Sequence, residues 1–299
     1  MFQNFPVQYI EPVFRPPSEA RSLIFQITNG CSWNRCTYCD MYTDPQKKFR
    51  PRNEAEVLQE IRQTAATGLE PTRVFLADGD ALVLSMRRLR TILQEIKRSL
   101  PSVTRVASYC LPSNLKNKTD DDLAELRELG LKIVYVGAES GDDEVLRQID
   151  KGETYASTLD ALVRAKNAGL KTSVMILNGL AGKAGSEQHA IASAKLVNEA
   201  QPDYLATLVL TFYQDRKKFD AGFDAKFEDL STLELCQEIK LLLSNTELKN
   251  TIFRSDHASN HMVLKGILGR DKEKLLLQID QSMAYFQKHP AFEPGYRGY

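Results

Sequence analysis

Six short apolar segments, each of strand length and each followed by a helical period, constrain the fold of this chain more than any other feature. They fall at residues 23–27, 73–77, 105–109, 132–136, 172–177 and 204–210. They show little polar alternation, as strands do when helices cover both faces of a parallel sheet. The stretches between them carry helix signals. Asn53 precedes Val57, Leu58, Ile61 and Ala65 on one helical face, and Gly68 stops that helix. A second helix ends before Pro101, and Thr119 with Asp122 opens a third, whose Leu123, Leu126 and Leu129 point inward until Gly130. Further helices are expected near 143–149, 157–168 and 187–199. Six strand–helix repeats predict an α/β fold with right-handed crossovers, a partial (β/α)6 TIM-like barrel over residues 21–215. An extended segment, residues 1–20, precedes it. A helical extension, 216–299, follows, with a capping box at Ser231 and Glu234 and a last helix near 272–286 before Pro290.

Lysine plus arginine equals aspartate plus glutamate, 39 each, so the chain carries no global electrostatic footprint for nucleic acid or an anionic membrane. The short basic clusters at 87–90 and 216–218 read as solvated faces. Residues 1–17 contain no apolar core of a secretory signal, and no apolar run approaches the ~20 residues that span a bilayer. A soluble, cytoplasmic protein is expected. Of its five cysteines, three crowd into nine positions, which in a reducing compartment points to metal ligation rather than disulfides.

Those three, Cys31, Cys36 and Cys39, have C-x4-C-x2-C spacing and begin just after the first strand. In α/β barrels, chemistry gathers at that end of the strands. Thiolates suit zinc or iron–sulfur groups. A structural zinc normally takes four ligands, and no fourth is evident. Three thiolates would ligate three irons of a cubane and leave the fourth open to an outside molecule, which favours catalysis. The rival is an electron-transfer protein with a plant-type [2Fe–2S] cluster, whose spacing is the same with a distant fourth cysteine. Cys110, at the end of the third strand, would be the better fourth ligand. Cys236 lies among Leu235, Ile239 and Leu242, where a cysteine is usually a small apolar residue.

With Tyr38 just before the third cysteine, the segment resembles the radical SAM superfamily, in a subgroup whose first gap is one residue longer than usual. Some uncharacterised members are labelled as like oxygen-independent coproporphyrinogen oxidase. Further matches follow in order at strand ends. Asp78-Gly79-Asp80 stands where the family has a Gly-Gly-Glu motif that receives the methionyl ammonium, and keeps a carboxylate and a glycine. Gly137-Ala138-Glu139-Ser140-Gly141 resembles Gly-x-Glu-Ser-Gly, which implies that Glu139 and Ser140 contact the ribose or methionine part of the cofactor. Asn178-Gly179-Leu180-Ala181-Gly182 resembles the family's Gly-x-Pro-Gly turn beside adenine, with Ala181 in place of proline. Arg164 falls where related enzymes place a carboxylate-binding arginine.

The resemblance implies a [4Fe–4S] cluster on the three cysteines and S-adenosylmethionine as its partner. It also implies reductive cleavage of that cofactor to a 5′-deoxyadenosyl radical, which takes hydrogen from a small-molecule substrate, and a reducing partner such as flavodoxin or ferredoxin. The protein's share is to bind, orient and exclude water. Two remaining cysteines argue against an auxiliary cluster, and no region resembles a cobalamin domain. His257 and His261 read as ordinary loop histidines. If their segment covers the barrel mouth, Arg254, His257 and Asn260 would contact substrate.

Overall fold

The computed structural model describes residues 6–212 and 215–289. Residues 1–5 of the expected N-terminal segment and Pro290 lie outside these. The described residues divide into two compact units. One is drawn from residues 6–34, 39–136 and 163–172, the other from residues 35–38, 137–162, 173–212 and 215–289.

In the first unit, β1 (Leu23–Gln26), β2 (Arg73–Ala77), β3 (Arg105–Tyr109) and the start of β4 (Leu131–Glu139) run parallel, with Phe25 opposite Leu76, Phe75 opposite Ala107, and Ala107 opposite Ile133. Phe25, Val74, Phe75 and Leu76 are completely buried. Each contributes about 1.5–3 kcal/mol of apolar burial. The helices are those their sequences predict. In α1 (Glu54–Ala66) the Asn53 side-chain oxygen Oδ1 accepts from the Ala55 and Glu56 N–H groups, and Val57 and Ile61 are buried. In α2 (Met86–Ser99) Leu89, Ile92, Leu93 and Ile96 point inward. In α3 (Asp120–Glu128) Thr119 and Asp122 form the reciprocal cap.

In the second unit, β5 (Lys171–Asn178), β6 (Tyr204–Val209) and β7 (Ile252–Ser255) run parallel, and β8 (Leu264–Ile267) returns antiparallel to β7. The other helices of more than eight residues are α4 (Tyr155–Asn167), α5 (Gly182–Ala200), α6 (Thr232–Ser244) and α7 (Lys272–Lys288), and Pro112–Lys116, Asp143–Gln148 and Lys217–Asp220 form shorter ones. The α/β alternation is as expected. The C-terminal extension, however, is not helical throughout. Its β7–β8 hairpin adds two strands of four residues, too short to display a period of two above background. Asn260 fixes the hairpin loop to β6, donating to the Thr207 carbonyl at 2.8 Å and accepting from the Val209 N–H at 2.9 Å. No helix among the described residues is long and apolar enough to cross a membrane.

Candidate functional site

In the first unit the cysteine loop is pinned where β1 and β2 end. Gly30 has φ +71°, and a Cβ there would lie 1.9 Å from the Lys47 carbonyl oxygen, so only glycine permits this crossing of chains. Asp78 and Asp80, following β2, have no exposed surface. One oxygen of Asp78, Oδ2, accepts from the Gly30 N–H at 3.2 Å, from Gln26 Nε2 at 3.1 Å and from the Lys47 ammonium. Lys47 also donates to the Ile10 carbonyl at 2.8 Å. The other oxygen of Asp78 is buried without a hydrogen bond. The neighbouring Tyr42 hydroxyl is held well above its ordinary range, by burial first and then by the Asp78 charge. Asp80 accepts from the Ser32 N–H at 2.8 Å, from the Ser32 hydroxyl and from Asn114 Nδ2 at 3.1 Å. Burial pushes its carboxyl up, against those bonds. Gly79 between them donates to the Gly30 carbonyl at 3.2 Å, and a Cβ on it would be 2.8 Å from the Cys31 Cβ. The ammonium that Asp78 receives here is therefore that of Lys47, and this trio braces the residues around Cys31.

The second unit holds Cys36, Tyr38, Glu139, Ser140 and Gly179. Glu139 ends β4 in the left-handed region, φ +66°, an uncommon state for a residue with a side chain. Its carboxylate folds back over Gly137, where a Cβ would be 2.1 Å from Oε1. That contact explains the glycine two residues earlier. Oε1 is held by Lys151 Nζ at 3.1 Å, with both side chains about 95% buried, and Lys151 also reaches the Tyr38 hydroxyl at 3.3 Å. The second oxygen, Oε2, is buried and has no hydrogen-bond partner. Burial pushes the Cys36 thiol up while the Lys151 ammonium pulls it down, so ligation of a metal by Cys36 would release a proton. Ser140 bonds to His189 Nδ1 at 2.8 Å, and the Gly179 N–H donates to Glu238 Oε1 at 2.6 Å. Tyr38 packs on the apolar cluster of Leu146, Ile149, Leu177, Leu180 and Phe219.

The remaining expected residues are placed as follows. Arg164 pairs with Asp120 at 2.8 Å and donates to the Leu115 and Lys118 carbonyls, all within the first unit. Cys110 is buried, with its thiol toward the Leu111 carbonyl at 3.2 Å. Cys236 is buried on α6, where desolvation pushes its thiol up to about 11, far from a ready ligand. His257 Nδ1 accepts from the Ser259 N–H at 3.1 Å, a local turn contact. Lys47, His189 and Glu238 were not visible as site residues in the sequence. Lys151 stands in a Lys-Gly pair twelve residues after Glu139. Among the described residues, no three His, Cys, Asp or Glu side chains converge on one metal ion. A cubane does not ask for that, since each of its thiolates binds a different iron. Cys31, Cys36 and Cys39 are partly exposed and unbridged, which fits that donor set.

Comparison with known proteins decides the family. The profile of the radical SAM superfamily matches residues 25–191, more than half of the chain. The chain belongs to the radical SAM superfamily. Membership of this family implies a [4Fe–4S] cluster and S-adenosylmethionine as cofactors. A putative methylthiotransferase of Methanocaldococcus jannaschii is 25% identical over 228 residues, 75% of this chain and 45% of that protein. The heme chaperone HemW of Bacillus subtilis is 22% identical over 166 residues, 53% of this chain and 43% of that protein. The chain thus spans under half the length of these relatives. Among solved structures, the coproporphyrinogen III oxidase HemN of Escherichia coli, described as a radical SAM enzyme, has a TM-score of 0.55 at 17% identity, over 75% of this chain and 54% of that one. Methylornithine synthase has a TM-score of 0.52 at 16% identity, over 89% of this chain and 85% of that one. These likenesses show the fold, the partial (β/α)6 barrel.

Proposed function

We propose that this radical SAM protein holds its cluster on Cys31, Cys36 and Cys39 and S-adenosylmethionine against Glu139, Ser140 and Gly179, and that it starts hydrogen abstraction from a small-molecule substrate. When bound and reduced, the cluster supplies the electron that splits the sulfonium into methionine and a 5′-deoxyadenosyl radical. The chain's residues bind and orient. The observation that carries the assignment is the carboxylate of Glu139. One oxygen is fixed by Lys151; the other is desolvated and accepts nothing. A buried acceptor left unmet costs about 1–3 kcal/mol. A hydroxyl or amino group of the cofactor donating to Oε2 would remove that cost. Ser140 contributes backbone rather than hydroxyl, because its O–H is already directed to His189. Gly179 contributes room, having φ +86° and no side chain. Asp78, Gly79 and Asp80 are assigned to the loop that carries Cys31, and Tyr38 to the wall beside Cys36. Arg164 is left out of the cofactor contacts, since its guanidinium already serves Asp120 and two carbonyls. A flavodoxin or ferredoxin would deliver the electron.

The test is anaerobic reconstitution. The native protein should hold about four irons per chain, as one cubane requires, and release 5′-deoxyadenosine with dithionite. Cys36→Ala should lose both. Undiminished cleavage by that variant would refute the ligand assignment.

A further inference from the structure

The two turns assigned to the cofactor are each anchored by a buried polar side chain from a helix behind them. His189 of α5 takes the Ser140 turn. Its Nε2 faces the Leu177 carbonyl at 3.0 Å and donates there, so in the neutral ring Nδ1 accepts from the Ser140 hydroxyl. That hydroxyl in turn accepts from the Asp142 N–H at 2.9 Å. Glu238 of α6 takes the Gly179 turn. Oε1 accepts from the Gly179 N–H at 2.6 Å and Oε2 from the Ser186 hydroxyl at 2.5 Å. His189 Nε2 is 4.0 Å from Oε1.

The position of Glu238 is odd for a carboxylate. It is 4% exposed, on the face of α6 that buries Leu235, Ile239 and Leu242. Among the described residues no lysine or arginine pairs with it. Burying an unpaired acid opposes folding, and an apolar side chain would serve a core position better. The cavity lined by Asn178, His189, Thr207 and Glu238 is about 10 Å³, room for one water and no ligand. The acid therefore serves no pocket of its own. What it holds is backbone. α6 meets the same turn twice more: Asn178 Nδ2 donates to the Leu235 carbonyl at 3.1 Å, and a Cβ at Gly179 would be 3.0 Å from Leu235 Cδ2.

We infer that Glu238 is a positioning residue for S-adenosylmethionine, supplied by a helix outside residues 25–191, where the family match ends. It fixes the Gly179 turn with the N–H turned inward, while His189 fixes the Ser140 turn. The inference rests on the cofactor assignment of those turns made above.

The experiment titrates S-adenosylmethionine into anaerobically reconstituted full-length protein, following the cofactor-induced change in the electron paramagnetic resonance signal of the reduced cluster, with iron content measured in parallel. Glu238→Ala should bind about tenfold more weakly at unchanged iron content, with the spectral change diminished. Glu238→Asp keeps the charge but withdraws the acceptor by one methylene, so it should be similarly weakened and carries the test if the alanine variant fails to fold. Glu238→Gln keeps an oxygen for the Gly179 N–H and should return to within about threefold of native. Native affinity in folded Glu238→Asp, or Glu238→Gln as weak as Glu238→Asp, overturns the proposal. Failure of the cofactor assignment looks different: the native protein shows no response to S-adenosylmethionine, or Gly179→Ala binds it as native does.

Discussion

The buried pair of Lys47 and Asp78 offers a test whose size follows from the structure. Both side chains have no exposed surface. Lys47→Met leaves the Asp78 carboxylate buried with only the Gly30 N–H and Gln26 amide as donors. Asp78→Asn keeps an oxygen for those donors but strands the Lys47 ammonium with the Ile10 carbonyl. Removing one member of a buried pair typically costs 3–5 kcal/mol, because the other charge stays uncompensated. Each single variant should therefore unfold at markedly lower urea, with Tm reduced by roughly 10 °C. The double variant removes both charges and should be less destabilised than the sum of the singles by about 2 kcal/mol or more. An exposed pair is the internal control: Arg147 and Glu144 are 58% and 54% exposed, and Arg147→Ala should leave the urea midpoint nearly unchanged. Urea unfolding at constant m-value reads all four. Additive singles would refute the pairing. So would a single variant no worse than Arg147→Ala.

Two further predictions are independent of that pair. Gly137→Ala puts a Cβ where Glu139 Oε1 lies, 2.1 Å away, so the carboxylate must swing off Lys151. Binding of S-adenosylmethionine should fall about tenfold while iron content holds; unchanged binding would remove Glu139 from the site. Arg62, with Arg98 and Ser99, holds the Glu95 carboxyl down at about 2, from an ordinary 4.5. A depressed carboxyl stabilises the fold above its unfolded value, and that stabilisation is lost as pH falls from 4.5 toward 2. Both arginines are more than half exposed, so solvent screening leaves about 1 kcal/mol. Glu95→Gln should lower stability at pH 6 by that amount and by less at pH 3, measured by urea unfolding. A deficit that does not shrink with acidity would exclude the linkage.

The strands and most helices were legible because apolar runs of five to seven residues, separated by caps such as Asn53 and Thr119, leave few alternatives. The hairpin of β7 and β8 was not, because four residues carry too little pattern and Arg254 interrupts the run. In the site, the cysteines were legible by spacing, and Glu139 by glycines whose reason is now visible: Gly137 makes room for the carboxylate, and Gly141 lies against the Ala192 carbonyl, 2.2 Å from where a Cβ would sit. Lys47 was not legible. It sits in the polar run Gln46-Lys47-Lys48, and nothing local distinguishes the lysine that is wholly buried from its exposed neighbour. Glu238 was hidden for the same reason: it faces a partner 59 residues away in sequence.

Buried acids sit at strand ends and on α6, and hydrogen-bond accounting separates their roles. Both oxygens of Asp80 and both of Glu238 are satisfied by the chain itself. Asp78 has one oxygen without a bond, but the residue has no exposed surface and its other oxygen collects three donors. Glu139 combines an unmet oxygen with a left-handed backbone. Each is a cost, and both fall on one residue whose own lysine holds only the other oxygen. Packing does not need either: a glycine at 139 would relieve the backbone and an apolar side chain the desolvation. On the cofactor assignment proposed above, a ligand donating to Oε2 would account for both at once, since the left-handed backbone goes with a carboxylate turned back over Gly137.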